Sequence, residues 1–113
     1  MDAEDVSFTV EVAQEPGGVR LTPRGELDIA TQAELRAALE QHVGAPAITL
    51  DLSALRFLDT SGLRLILETA ESARRDGHDF SVVRGSPAVQ RLFELAGVAD
   101  LVPFRDGQER GTP

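Results

Sequence analysis

The chain contains no cysteine, no lysine and only two histidines, His42 and His78. Without cysteine it has no disulfide, and it has no thiolate for zinc, for an iron–sulfur cluster or for nucleophilic catalysis. Two histidines also exclude a metal site built from several histidine ligands. We therefore expect no metal and no cofactor.

Positive charge is scarce as well. The basic residues are eleven arginines against 19 acidic residues, which gives a formal net charge of −8. A chain this acidic repels nucleic-acid phosphates and anionic lipid, so binding to either is disfavoured. No apolar run approaches the roughly 20 residues that a membrane-spanning helix needs, and residues 1–5 lack the basic character of a signal peptide. We expect a cytoplasmic protein whose partner is another protein or a small ligand.

The sequence also lacks the common catalytic motifs. It contains no phosphate-binding P-loop, no G-x-G-x-x-G, no H-E-x-x-H and no G-x-S-x-G. His78 lies in a turn beside Asp79 with no third catalytic partner, and His42 lies near the end of a predicted helix. We interpret both histidines as structural and expect no enzyme activity. An enzyme or nucleotide-binding protein that uses residues 59–61 stays an alternative, without a base, a lysine or a phosphate loop.

At 113 residues and 42% apolar composition, the chain suits one globular domain. Alternating polar and apolar residues predict a β-hairpin over residues 6–25. Helical and strand patterns then follow one another, at residues 31–43 (helix), 47–52 (strand), 61–76 (helix), 80–83 (strand) and 86–96 (helix), with a short extended piece at 101–104. The order β-β-α-β-α-β-α predicts an α/β fold with a mixed, mostly parallel sheet, an N-terminal hairpin and helices packed on the sheet.

The limits of the domain and of its first helix have their own signals. The sequence Thr31-Gln32-Ala33-Glu34 fits a capping box and predicts that Thr31 caps the helix. We place the domain at residues 6–104. Residues 1–5 and 105–113 lack apolar anchors and are expected to be flexible termini.

One segment, residues 55–63, joins a predicted buried strand to a helix and carries three capping residues in a row, Asp59, Thr60 and Ser61. One cap needs only one residue. Gly62 follows in the first turn, where glycine costs roughly 1 kcal/mol relative to alanine. We interpret its missing Cβ as opening the Ser61 hydroxyl to another molecule. Arg64 also opposes the helix dipole, which favours acidic residues in a first turn.

The segment Leu58-Asp59-Thr60-Ser61-Gly62-Leu63 resembles the phosphorylation-site motif of bacterial anti-sigma factor antagonists, which are stand-alone STAS domains. Further segments are similar in the same order and with the family's spacing, over about residues 6–104. They are Gly25-Glu26-Leu27-Asp28 after the hairpin, Ile48-Thr49-Leu50-Asp51-Leu52, residues 89–98 and Leu101-Val102-Pro103-Phe104. The resemblance implies a STAS fold.

The resemblance also implies a mechanism. The unphosphorylated antagonist would bind an anti-sigma factor, a serine kinase with a histidine-kinase-like ATPase fold, and so free the sigma factor. The kinase would then phosphorylate the hydroxyl residue before the glycine and end the interaction, and a PP2C-type phosphatase would reverse this. On this pattern Ser61 is the acceptor and Thr60 the runner-up. The main alternative is a STAS scaffold that is never phosphorylated, or an accessory subunit of a transporter-type or signalling complex.

The residues expected to contact the partner surround this motif. Asp28 either ends the hairpin as an Asx turn or contacts the partner, and Asp59 either caps the helix or orients the Ser61 hydroxyl. Leu65 lies off the apolar face of the helix and is expected to be an exposed contact, whereas Leu58 suits either core or interface. Arg64 suits an ordinary surface residue, a pair with Asp59 or a phosphate ligand. The complete predicted contact set is Asp28, Leu58, Asp59, Thr60, Gly62, Arg64 and Leu65.

Overall fold

The computed structural model describes residues 8–106 of the chain. The elements are, in order, β1 (Phe8–Glu15), β2 (Gly18–Leu27), α1 (Gln32–Gln41), β3 (Ala47–Asp51), β4 (Leu55–Leu58), α2 (Thr60–Asp76), β5 (Asp79–Val83), α3 (Pro87–Leu95), a short 3-10 helix (Ala99–Leu101) and β6 (Phe104–Arg105). The strands lie in the order β1-β2-β3-β5-β6, with β4 paired to β2. The β1–β2 hairpin is antiparallel and the other pairs are parallel, as predicted.

Strand β2 has an apolar side and a polar side, which define the apolar and the polar face of the sheet. Val19, Leu21 and Leu27 are buried, whereas Arg20 and Arg24 alternate with them on the opposite face. Each parallel crossover moves in the same direction along the sheet. Because such crossovers are right-handed, α1, α2 and α3 all cover the apolar face.

Strand β4 is an element that the sequence pattern missed. Both β3 and β4 run parallel to β2 along the same edge, β3 beside Val19–Leu21 and β4 beside Gly25–Leu27. A turn separates them, in which the Ser53 amide donates to Asp51 Oδ1 at 2.9 Å. The pair is in effect one interrupted strand. The prediction of a plain connection between β3 and α2 is therefore wrong.

A network of polar side chains covers the polar face of the sheet, which is the open face opposite the helices. Arg20 pairs with Glu15 and with Asp51. Arg105 donates to Ser81 Oγ at 2.8 Å and to Thr49 Oγ1 at 2.9 Å, and Thr49 is only 1% exposed. Arg105, predicted to lie in a flexible terminus, thus belongs to β6. The predicted flexible segment 1–5 and the rest of the C-terminal one, from residue 107, lie outside the described residues.

Two helix ends carry local capping residues. Ser86 caps α3 by accepting from the Val89 amide at 3.3 Å, and Gly77 ends α2 with a positive φ of 74°. The predicted capping box at Thr31 is not formed, because the Thr31 side chain makes no cap hydrogen bond to α1. Within residues 8–106, no helix is both long enough and apolar enough to span a bilayer.

Arg105→Ala tests whether β6 is anchored through the network on the open face. The substitution removes donors to Ser81 and to the buried hydroxyl of Thr49, so we expect unfolding free energy to fall by about 1 to 2 kcal/mol. Urea denaturation followed by circular dichroism measures the loss. Arg91→Ala, on the exposed side of α3, is the matched control and should change little. Equal losses in the two variants would contradict the anchoring role.

Candidate functional site

The carboxyl ends of β2 and β4 meet at one edge of the sheet. Leu27 and Leu58 are register partners, and the Asp59 amide extends the pairing by donating to the Leu27 carbonyl at 3.1 Å. Asp28 and Asp59 each follow one of these paired leucines. The strand register therefore places the two predicted acidic residues next to each other, at an edge where open parallel sheets form their sites.

The carboxylate of Asp59 has four donors. Oδ1 accepts from the amides of Ser61 at 2.9 Å and Gly62 at 3.1 Å and from the Ser61 hydroxyl at 2.6 Å, while Oδ2 accepts from the Ile29 amide at 3.3 Å. Burial alone would raise the pKa of Asp59, but the hydrogen bonds from the Ser61 hydroxyl and from the three amides hold it below its usual 3.8. Asp59 thus has both predicted structural roles, because it caps α2 and orients the Ser61 hydroxyl.

The two candidate acceptor hydroxyls differ in their surroundings. Ser61 is half-buried, and its short hydrogen bond to the charged Asp59 fixes the direction of its proton. Thr60 is the first residue of α2 and is exposed. Ser61 therefore has a defined orientation that directs its lone pairs away from Asp59.

Asp28 shapes the loop that leads from β2 into α1. Its Oδ1 accepts from the amides of Ala30 at 3.0 Å and Thr31 at 3.1 Å, which is the Asx turn considered from the sequence. The Thr31 hydroxyl accepts from the Asp28 amide and donates to the Glu26 carbonyl at 2.8 Å. Thr31 thus braces this loop, which explains why it does not cap α1.

Gly62 has a different role from the predicted one. A Cβ at this position would lie 2.7 Å from Leu27 Cγ and 2.7 Å from Leu58 Cδ1, both in the core. The missing Cβ lets the first turn of α2 lie directly against the two strand ends. The interpretation that it opens the Ser61 hydroxyl to another molecule is therefore replaced by a packing requirement.

Two predicted contact residues lie in the core instead. Leu58 is buried, which settles its alternatives in favour of the core. Leu65 is only 2% exposed, so the prediction that it is an exposed contact is wrong. It belongs to the same core cluster as Leu35 and Leu39 of α1, so this side of α2 is buried where the sequence pattern predicts exposure. Arg64 is exposed, and within residues 8–106 it forms no ion pair with Asp59.

Two exposed apolar residues flank the site and were missed. Ile29, whose amide binds Asp59, is 75% exposed, and Phe57, two residues before Asp59, is 49% exposed. An isoleucine directly after a predicted turn residue was the available signal for the first. Phe57 gives no clear signal, because the sequence pattern predicts a connection and not a strand at this position. Exposed apolar side chains beside an ordered hydroxyl are typical of a protein-binding surface.

The described part of the chain offers no metal centre at this edge. Between residues 8 and 106, no three histidine, aspartate or glutamate side chains converge on a point that could hold an ion.

Comparison with known proteins identifies the fold. The family described as "Mlab, STAS domain" matches residues 10–103. The chain belongs to the STAS domain family. The members that it resembles are regulatory binding proteins and not enzymes.

The similar STAS proteins are anti-sigma factor antagonists. The anti-sigma-B factor antagonist of Staphylococcus aureus is 30% identical over 87 residues, which cover 75% of this chain and 81% of that one. The crystal structure of an anti-sigma factor antagonist from Mycobacterium paratuberculosis has a TM-score of 0.81 at 30% identity, over 91% of this chain and 89% of that one. The Bacillus cell fate determinant SpoIIAA in its phosphorylated form shares the fold, with a TM-score of 0.68 at 20% identity and coverage of 89% and 93%.

Gly62→Ala tests the packing role of this glycine. The added methyl meets Leu27 and Leu58 below van der Waals distance, so we expect a loss of about 1 to 3 kcal/mol in unfolding free energy despite the better helix propensity of alanine. Gly44→Ala is the matched control, because its Cβ has no atom within 4 Å. Chemical denaturation compares the two variants. A Gly62→Ala protein as stable as the wild type would refute the packing role.

Asp59→Ala tests the carboxylate that caps α2. We expect about 1 kcal/mol of destabilisation at neutral pH. The pKa of Asp59 is lowered in the folded state, so the stabilisation due to its charge is present above the usual pKa of 3.8 and is lost as pH falls through the lower folded value. The difference in unfolding free energy between the wild type and Asp59→Ala should therefore become smaller in acid, as measured by denaturation at several pH values. Asp59→Asn keeps a hydrogen-bond acceptor without the charge, so its stability at neutral pH should lie between those of the other two proteins. A difference that becomes larger in acid would contradict the assignment.

Proposed function

We propose that this STAS domain binds an anti-sigma factor and thereby frees a sigma factor. The contact would be made by the strand-end surface, which consists of Asp28, Ile29, Phe57, Asp59 and Ser61. The anti-sigma factor would be a serine kinase with a histidine-kinase-like ATPase fold, and phosphorylation of Ser61 would end the complex. The ordered Ser61 hydroxyl, 2.6 Å from the Asp59 carboxylate at the start of α2, is the observation that carries this proposal. The names of the similar antagonists support an anti-sigma factor as partner.

Asp59 prepares Ser61 for phosphoryl transfer as a positioning residue. Its carboxylate holds the hydroxyl proton, so a lone pair of Ser61 Oγ is free to attack the γ-phosphorus of ATP in the kinase. A new bond forms between Oγ and the γ-phosphorus, and the bond from that phosphorus to the bridging oxygen of ADP breaks. The proton passes from Oγ to a base that the kinase supplies. Thr60 is less suited as acceptor, because no side chain orients its exposed hydroxyl within residues 8–106.

The contact surface combines apolar and acidic groups. Ile29 and Phe57 provide exposed apolar area, while Asp28 and Asp59 provide negative charge at the same edge. A phosphate on Ser61 adds about −1.5 to −2 charge there. In this proposal the partner also carries acidic groups opposite Ser61, so the phosphate would place like charges across the interface. Such an arrangement costs several kcal/mol, and about 4 kcal/mol is roughly a thousandfold in affinity. Phosphorylation therefore acts as an electrostatic block that needs no change of fold.

The reverse reaction and the place of action complete the proposal. A PP2C-type phosphatase would remove the phosphate, and the cycle would run in the cytoplasm. SpoIIAA, whose fold this chain shares, is known in both a phosphorylated and an unphosphorylated form. A STAS scaffold that is never phosphorylated is the second candidate. The exposed Ile29 and Phe57 favour a protein partner in either case.

Incubation with a candidate anti-sigma kinase and labelled ATP tests the proposal. We expect Ser61→Ala to abolish labelling and Thr60→Ala, the matched control, to retain it, with mass spectrometry locating the phosphate. The phosphorylated protein should bind the kinase at least a hundredfold more weakly. Its amide spectrum should change at residues 28–31 and 59–62 and not through the core.

Each outcome separates the candidates. Labelling that survives both substitutions would show that the acceptor assignment is wrong. Binding to anti-sigma kinases without labelling by any of them would favour the scaffold. A large change of amide shifts throughout the core would contradict a purely electrostatic block.

A further inference from the structure

The exposed large apolar residues outside β1 lie at two opposite ends of the domain. Ile29 and Phe57 lie at the carboxyl ends of the strands, beside the start of α2. Val43 follows α1, Leu95 ends α3 and Leu101 precedes β6, so these three lie at the opposite end of the sheet. The proposed antagonist function uses only the first group and leaves the second unexplained.

A groove of about 550 Å³ opens at this second end, between α1 and α2. Its floor consists of Leu39, Leu65 and Phe80, and Val43, which is 54% exposed, forms part of its wall. We call it the α1–α2 groove. Along α2 its lining runs from Leu65, about 6 Å after Ser61, to Arg75, about 21 Å after Ser61. The groove thus begins one helical turn after Ser61 and extends away from it toward the end of α2.

The apolar surface continues past the end of α2. A smaller groove of about 280 Å³ shares Ala73, His78 and Phe80 with the first and adds Leu101. The two grooves therefore adjoin each other, and Leu101 extends the apolar lining at this end of the domain.

The charges around the two grooves are unbalanced. Each arginine at their rims is paired with an acid, Arg36 with Glu68 at 3.3 Å across the groove, Arg75 with Asp76 at 3.9 Å, and Arg74 with Glu71. By contrast, no ion pair within residues 8–106 involves the remaining rim acids, which are Glu40, Asp79 and Asp100. With histidine counted as neutral, the rim presents uncompensated negative charge over an apolar floor.

We propose that the α1–α2 groove docks a basic amphipathic helix of a partner protein. The apolar face of that helix would pack into the groove between α1 and α2, which is a common mode of helix recognition. Its basic residues would face Glu40 and Asp79. The net charge of −8 also favours a cationic partner. Because the acids that would bind this helix, Glu40 and Asp79, lie toward the far end of α2 from Ser61, this partner binds with Ser61 modified or unmodified.

A titration of the 15N-labelled full chain tests the docking site. The probe is a synthetic helical peptide of about 15 residues with leucine on one face and lysine on the other. We expect saturable amide shifts at Val43, Thr69 and Ser72, with Ile29 and Ser61 unaffected. The same peptide with glutamate in place of lysine should not bind.

Charge-matched variants make the test specific to the groove. Glu40→Gln combined with Asp79→Asn should weaken binding of the lysine peptide about tenfold. Glu26→Gln combined with Glu34→Gln removes the same charge elsewhere on exposed positions and should change affinity less than twofold. Val43→Lys, at an exposed wall position, should weaken binding more strongly than either pair.

Several results would overturn the proposal. They are equal binding of the acidic peptide, shifts centred on Ser61, absence of saturation, equal effects of the two charge-matched pairs, or a dimer of this chain that buries the groove. Ser61→Asp should leave affinity for the lysine peptide within twofold. A failure of the kinase assay would therefore not affect this test, and the two proposals fail separately.

Discussion

The carboxylate of Asp59 fixes three parts of the strand-end surface at once. It accepts hydrogen bonds from the Ser61 hydroxyl, from two amides of the first turn of α2 and from the Ile29 amide of the loop after β2. Its own position follows from the pairing of β4 with β2, since Asp59 comes directly after Leu58, the register partner of Leu27. The geometry of the candidate acceptor is therefore set by the sheet register and transmitted through one side chain. This explains why a half-exposed hydroxyl has a single defined orientation.

The same two leucines also determine how close α2 lies to the sheet. Gly62 packs against Leu27 and Leu58, where a Cβ would be 2.7 Å from each. Glycine in a helix costs roughly 1 kcal/mol relative to alanine, but here the helix approaches the strands closely enough for Asp59 to reach its amides. Local propensity is thus overridden by tertiary packing. The residues with a proposed chemical role rest directly on core residues, which keeps them ordered.

The sequence predicted the order of the long elements and the mixed sheet, because periodicity and capping residues are local signals. The grouping of Asp28 with Asp59 and Ser61 was implied by the resemblance to the antagonist family and not by these local signals. It failed where the outcome depends on neighbours in space. Strand β4 is four residues long and exists only because β2 extends beyond β3. Leu65 is buried in a core cluster that includes residues of α1, and Thr31 braces the preceding loop instead of capping α1. Ile29 stands out as a candidate contact residue only once its exposure is known.

The position of the Asp59 carboxylate also determines what a phosphate on Ser61 would meet. A helix N-terminus ordinarily attracts a phosphate through its free amides. Here the amides of Ser61 and Gly62 already bind Asp59, so carboxylate and phosphate would compete for the same donors while repelling each other. The Ser61 ester would also lose the proton that now binds Asp59. Beyond the first turn, Leu63 and Ile66 anchor α2 in the core, which confines the disturbance to the strand-end surface. This anchored part of α2 lies between Ser61 and most of the α1–α2 groove, so a charge change at Ser61 would act mainly on the strand-end surface.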